Sequence, residues 1–229
     1  MLLYLVRHGQ STTNRLTASD ESRAEGGLEY FPRGDRPWPS DRSIDPPLTS
    51  LGVKQAEAVA DRLRSEGLGH LLCSPLFRAL QTAQIVGRAS GLAPCAWTCL
   101  AEHRGVEGFR GIGRAEAEAC FGECVLPEEL GDEGWWPGHM EDDSSLWKRA
   151  GQAAEALRSL AGSADNKVAV IAHGTFTSRL ITRLMECGPA PYSRFAMMNC
   201  SVTTLEVTDT KVRLLGANDV SHLPVSLRT

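Results

Sequence analysis

The 229-residue chain has no apolar run near the ~20 residues that a membrane-spanning helix requires. Its N-terminal apolar run, Leu2 to Val6, is short, has no basic segment before it and ends in Arg7. It does not read as a secretion signal, and a cytoplasmic location is the expectation. The chain also lacks an excess of positive charge: 24 Lys and Arg stand against 28 Asp and Glu, a formal net charge of −4. That balance argues against nucleic acid or a membrane surface as partner, while leaving room for a local basic pocket. No internal repeat and no low-complexity segment is present. The seven cysteines are an odd number and contain no C-x₂-C pair, so free thiols are expected. Cys95 with Cys99 and Cys120 with Cys124 form two CxxxC pairs. A structural zinc is the sharper reading of those pairs and incidental thiols the blander one. The spacing favours thiols, and no metal is expected.

What remains is an ordinary globular composition, 42% hydrophobic and 23% charged. The length suits one α/β domain with large insertions better than two equal domains. Residues 2–6 form a first strand. Thr49 has the character of an N-cap, and Val53, Ala56, Ala60 and Leu63 recur at helical spacing before Gly67. A strand over 70–74 follows, then Pro75 in a helix's first turn, with the helix closing near Gly91. A short strand over 95–98 comes next. A short helix is expected over 115–121, and a longer one over 146–160, capped by Ser144 and ended by Gly162. Residues 167–172, KVAVIA, read as a central parallel strand, followed by a helix to about Met185. Strands over 201–207 and 211–215, joined by a turn, complete the pattern. This alternation predicts an α/β fold, a three-layer α/β/α sandwich with a mainly parallel central sheet, in one domain over 1–229. Two stretches without a sustained period, about 17–45 and 105–143, read as long insertions.

Three strand ends carry related chemistry. The first strand delivers Arg7-His8-Gly9, with glycine letting the backbone turn away, and Asn14 closes the segment. The strand at 70–74 leads through Ser74-Pro75 to Arg78, and the strand at 167–172 ends in His173-Gly174. Ligands of open α/β sheets bind at the carboxyl ends of strands. If these ends adjoin, two arginines and two histidines converge. Arginine offers a planar fork of donors that matches phosphate oxygens, and a helix N-terminus adds to it. A neutral imidazole among them can act as a nucleophile.

Four segments in order, LVRHGQSTTN, DPPLTSLGVKQA, CSPLFRALQTA and VIAHGTFTSRLI, resemble the signature of the histidine phosphatase superfamily, the phosphoglycerate-mutase-like group. They span residues 5–181, and the tail NDVSHL at 218–223 is similar to endings among its phosphatase members. The resemblance implies that His8 becomes a phosphohistidine. It implies that Arg7, Arg78, His173 and Gly174 hold the phosphate and that Asn14 walls the pocket. Leu100-Ala101-Glu102 fits the family's L-x-E pattern, which makes Glu102 the general acid and base. The segment after it is shorter than in many phosphatases, so Glu107 stands in reserve. The asparagine that precedes this glutamate in the mutases is missing, which favours hydrolysis.

The leading expectation is therefore a metal-independent phosphomonoesterase without a cofactor, acting on a small phosphorylated metabolite. The alternatives are mutase-type phosphoryl transfer and a non-catalytic phospholigand-binding module. Arg23, Arg33, Arg36 and Arg42 read as a solvated loop, or as a second anion contact. Trp135-Trp136 read as packing, or as an aromatic lid over the leaving group. His70, His103, His139 and His222 read as surface or packing residues. The sequence leaves the substrate and the oligomeric state open.

Overall fold

Strands β1 (Leu2–Arg7) and β4 (Lys167–Ala172) lie at the middle of the sheet with both faces covered, which explains their apolar runs over 2–6 and 168–172. The computed structural model describes residues 1–17, 45–103, 107–160, 166–189 and 195–229. Expectations for Arg23, Arg33, Arg36, Arg42 and Gly162 lie outside these residues.

The sheet has six strands in the order β3-β2-β4-β1-β5-β6. Here β2 is His70–Cys73, β3 is Cys95–Ala96, β5 is Val202–Val207 and β6 is Val212–Asp219. The first four in that order run parallel, β5 is antiparallel to β1, and β6 is antiparallel to β5. Side chains alternate between the faces with period two. Tyr4, Val6, Leu71, Cys73, Ala169 and Ile171 pack against α2 (Ser50–Arg64) and α3 (Phe77–Ser90). Leu3, Leu5, Leu72, Val168, Val170 and Ala172 pack against α5 (Asp143–Ser159) and α6 (Gly174–Leu184). The result is the three-layer sandwich. The remaining helices are α1 (Thr12–Thr17) and α4 (Arg114–Phe121). No helix among the described residues is long and apolar enough to cross a membrane.

Several local expectations hold. Thr49 caps α2, its side chain accepting from the Gly52 amide at 3.0 Å. Gly91 closes α3 at φ 72°, a left-handed conformation that glycine adopts without strain. Others are corrected. Pro75 precedes the helix, which starts at Phe77, because the distant Asp45 carboxylate accepts from the Phe77 amide at 2.9 and 3.1 Å. Asp142, not Ser144, caps α5, accepting from the Ser145 amide at 2.7 Å. The short strand after α3 covers only Cys95–Ala96, and a 3-10 turn takes over at Thr98. Strand β6 runs on to Asp219, past the expected Leu215, through register shifts opposite Thr204. Helix α1 was not anticipated. Among the described residues no group of three or more His, Cys, Asp or Glu could hold a metal ion, so the two CxxxC pairs form no four-thiol set.

Candidate active site

The register of the central strands sets the geometry. Arg7 of β1 pairs with Ala172 of β4, so His8 and His173 both follow immediately beyond the paired strands. Their ring centroids stand 5.0 Å apart, and both rings are buried. Strand β2 pairs with β4 on its other side and brings Ser74, whose Oγ lies 2.7 Å from His173 Nε2. The first turn of α3 then places Arg78 beside His8.

The ring of His8 has a defined polarity. Its Nδ1 lies 2.6 Å from the Gly9 carbonyl, which can only accept, so Nδ1 carries the proton. The lone pair is left on Nε2, which accepts from Arg78 Nε at 3.1 Å. Burial, and then the nearby Arg78 and Arg7 guanidiniums, push the His8 pKa well below the ordinary 6.5. His173 is lowered in the same way, by burial first and then by Arg78 and His8. Both imidazoles are therefore neutral near pH 7.

Arg7 donates through Nη1 to the Met197 carbonyl at 2.7 Å, while its buried Nε has no partner among the described residues. A Cβ on Gly174 would stand in ordinary contact with that Nε, at 3.8 Å, so Gly174 lies beside Arg7. Arg78 is held by Asp45, with Nη1 3.3 Å from Oδ1 and little of either side chain exposed. Asp45 thus joins the α3 amino terminus to Arg78.

Glu102 sits against the start of α6. Its carboxylate accepts from the amides of His103 at 2.8 Å, Phe176 at 2.9 Å and Thr175 at 3.3 Å. It is near enough to Arg7 and Arg78 to oppose the lowering of their pKa values by burial. Glu107 is exposed on a turn. The structure brings Glu102, the glutamate of the L-x-E pattern, near both arginines. Asn14 is engaged in capping: its Oδ1 accepts from the Ser11 amide at 3.2 Å, and its amide donates to Ser11 Oγ at 3.4 Å. The same Oδ1 accepts from Asn199 Nδ2 at 3.3 Å.

Gly9 is needed for a reason other than the one the sequence suggested. It adopts no left-handed φ. A Cβ on it would lie 2.3 Å from the Gly52 carbonyl oxygen, so the glycine permits the loop to touch the start of α2. Sequence reasoning missed Asp45, Asn199 and Gln55. Asn199 Nδ2 donates to the His8 carbonyl at 2.9 Å, and Gln55 Oε1 accepts from the Gln10 amide at 2.7 Å. Only Asp45 left a signal, an acid immediately before the Pro-Pro of the second motif. Trp135 and Trp136 pack edge to face at 5.6 Å. His70 and His139 are exposed, and the His222 ring contacts the Cys200 carbonyl at 3.0 Å.

A family model for the histidine phosphatase superfamily (branch 1) matches residues 34–220. The chain belongs to that superfamily. The match takes in the three later motifs and begins after Arg7-His8-Gly9. Full-length relatives carry the likeness further. A protein of Yersinia enterocolitica described as a probable phosphoglycerate mutase GpmB is 30% identical over 208 residues, covering 83% of this chain and 91% of its own. A Yersinia pestis protein of the same description is 28% identical, covering 96% of this chain and 94% of its own. Among solved structures, the ecdysone phosphate phosphatase of Bombix mori, in complex with tungstate, superposes with a TM-score of 0.68 at 18% identity. That match covers 95% of this chain and 92% of the other. A phosphoserine phosphatase of Entamoeba histolytica, in complex with 3-phosphoglyceric acid, gives 0.61 at 24% identity, covering 97% and 99%. These structures share the superfamily's fold, a mixed sheet with helices on both sides. Membership makes this chain a phosphatase or mutase type of enzyme.

Proposed function

We propose that this superfamily member is a phosphomonoesterase acting on a small phosphorylated metabolite. The observation that carries the reading is the neutral His8, with its lone pair on Nε2, buried between two guanidiniums. In the proposed reaction Nε2 attacks phosphorus, and the bond to the leaving oxygen breaks. Glu102 passes a carboxyl proton to that oxygen. Arg7, Arg78 and His173, with Gly174 beside Arg7, hold the phosphoryl oxygens. Water then attacks phosphohistidine, Glu102 takes its proton, the P–N bond breaks and inorganic phosphate leaves. Two guanidiniums neutralise charge in this scheme, so the rate should be unaffected by a chelator.

Hydrolysis of 4-nitrophenyl phosphate, with rapid-quench detection of an acid-labile phosphoenzyme, tests the reading. His8→Ala should lose at least about 10³-fold in kcat, the scale seen when a nucleophile is removed. Wild-type protein that binds phosphate without labelling would instead indicate a binding module. The Yersinia descriptions favour a second reading, mutase-type transfer. Phosphorus NMR on 3-phosphoglycerate separates the two, since isomerisation without phosphate release belongs to a mutase.

A further inference from the structure

The loop that carries Glu102 has few supports of its own. After the 3-10 turn Thr98–Leu100 it leaves regular structure, and among the described residues no strand pairs with residues 101–103. Its carbonyl groups instead converge on one side chain, Arg149 of α5. Nη1 donates to Cys99 O at 2.9 Å and Ala101 O at 2.7 Å, and Nη2 reaches Glu102 O at 3.4 Å. Glu141 takes the remaining edge, with Oε1 2.8 Å from Nε and Oε2 2.5 Å from Nη2. A guanidinium has five N–H donors in a rigid fork, and here five acceptors meet them. The side chains of Arg149 and Glu141 are 13% and 7% exposed. The Phe176 ring covers the guanidinium at 4.8 Å, and the Trp136 ring stands at 5.9 Å. Phe176 also donates its amide to Glu102 Oε1, so one residue touches both the clamp and the carboxylate.

We infer that Arg149, braced by Glu141, is a positioning residue for Glu102, fixing the backbone of the acid/base loop so that the carboxylate meets the leaving oxygen. The inference rests on the reading of Glu102 as proton donor. It also gives Trp136 a place, with its ring packed beside the clamp's guanidinium. Lysine has three donors on a single nitrogen and cannot span three carbonyls and a bidentate carboxylate, although it keeps the charge.

The test is a leaving-group series read as kcat/KM, which reports phosphoenzyme formation and not its hydrolysis. 4-Nitrophenyl phosphate releases a stable phenolate and needs little help from an acid, whereas a simple alkyl phosphate needs a proton. Glu102→Gln should lose about 10²–10⁴-fold on the alkyl ester and far less on the aryl ester. Arg149→Lys should show the same split at smaller amplitude, about tenfold or more on the alkyl ester with the aryl ester within about threefold. Glu141→Gln, which keeps Arg149 and loses only the charge of its partner, should show a weaker version and serves if Arg149→Lys fails to fold. Equal losses on both esters in the folded clamp variants would overturn the inference, leaving Glu102's role intact. A flat series for Glu102→Gln would overturn the proton-donor reading itself, and this inference with it.

Discussion

Substituting Gly52 by alanine sets two physical effects against each other. Gly52 is the third residue of α2, where alanine is favoured over glycine by about 1 kcal/mol on helix propensity alone. Yet a Cβ there would stand 2.1 Å from the Gln10 carbonyl oxygen and 2.9 Å from its nitrogen. Ordinary contact begins near 3.4 Å, so the shortfall exceeds 1 Å, and it is against backbone. Gln10 has little freedom to retreat, because its carbonyl accepts from the Thr49 amide at 2.9 Å and its own amide donates to the buried Gln55 at 2.7 Å. Overpacking of this kind costs about 1–3 kcal/mol, so the net loss of stability after the propensity gain is about 0–2 kcal/mol.

Activity should suffer more. Gln10 lies two residues after His8, and a displacement of about 1 Å at the reacting group costs about 10²-fold. That corresponds to about 2.7 kcal/mol in the barrier. The assay pairs kcat/KM on 4-nitrophenyl phosphate with urea unfolding of the same preparation. Gly216→Ala is the control, since a Cβ at Gly216 meets nothing within 4 Å. Activity of Gly52→Ala within about threefold of wild type would refute the argument that this contact fixes the nucleophile loop.

Two further predictions follow from the site's charges. His8 and His173 are buried with pKa values below 6.5, so the unfolded chain binds more protons than the native one as the pH falls. Stability from these groups should be complete above about pH 6.5 and decline from there towards the depressed native pKa values. Urea unfolding at pH 7, 6 and 5 reads it, and a flat profile in the wild type, unchanged by His8→Ala, would count against neutral burial. Asp45→Asn keeps the shape but removes the carboxylate that holds both the Phe77 amide and Arg78. A loss of about 1.5–3 kcal/mol in stability is expected from the charge-assisted bonds, together with a reduced kcat/KM; unaltered stability would show that Arg78 does not depend on this partner.

What could be read from the sequence followed from how local each cause is. Strands β1 and β4 were legible because both faces are covered, which requires their apolar runs over 2–6 and 168–172. Helix α2 was legible because Thr49 and the spacing of Ala56, Ala60 and Leu63 are local signals. Strand β6 was cut short at Leu215 because Gly216-Ala217-Asn218 reads as a loop, and pairing with β5 overrides that preference. The Pro75 helix start failed for a related reason, since its cap comes from Asp45, 32 residues away. Arg7, His8, Arg78 and His173 stood out because histidine and arginine at strand ends are chemically conspicuous. Asn199, Gln55 and Arg149 did not, because their importance lies only in which distant backbone groups they meet.

The mixed sheet explains why such distant residues meet at all. Parallel strands β1, β2 and β4 all present their carboxyl ends to the site, and so supply His8, Ser74 and His173 directly. Strand β5 runs antiparallel to β1, with Val202 opposite Val6, so it presents its amino end there. The residues just before it, Asn199 and Cys200, therefore reach the nucleophile strand: Asn199 bonds the His8 carbonyl, and the Cys200 amide donates to the Arg7 carbonyl at 2.9 Å. The helices divide in the same way. Helix α3 leaves β2 on one face of the sheet and carries Arg78, while α6 leaves β4 on the other face and holds Glu102 by its first amides. The two helix starts thus flank the nucleophile from opposite faces of the sheet. A cation sits on one and the carboxylate on the other, and the carboxylate's remaining freedom lies in its own backbone. That is the segment Arg149 grips.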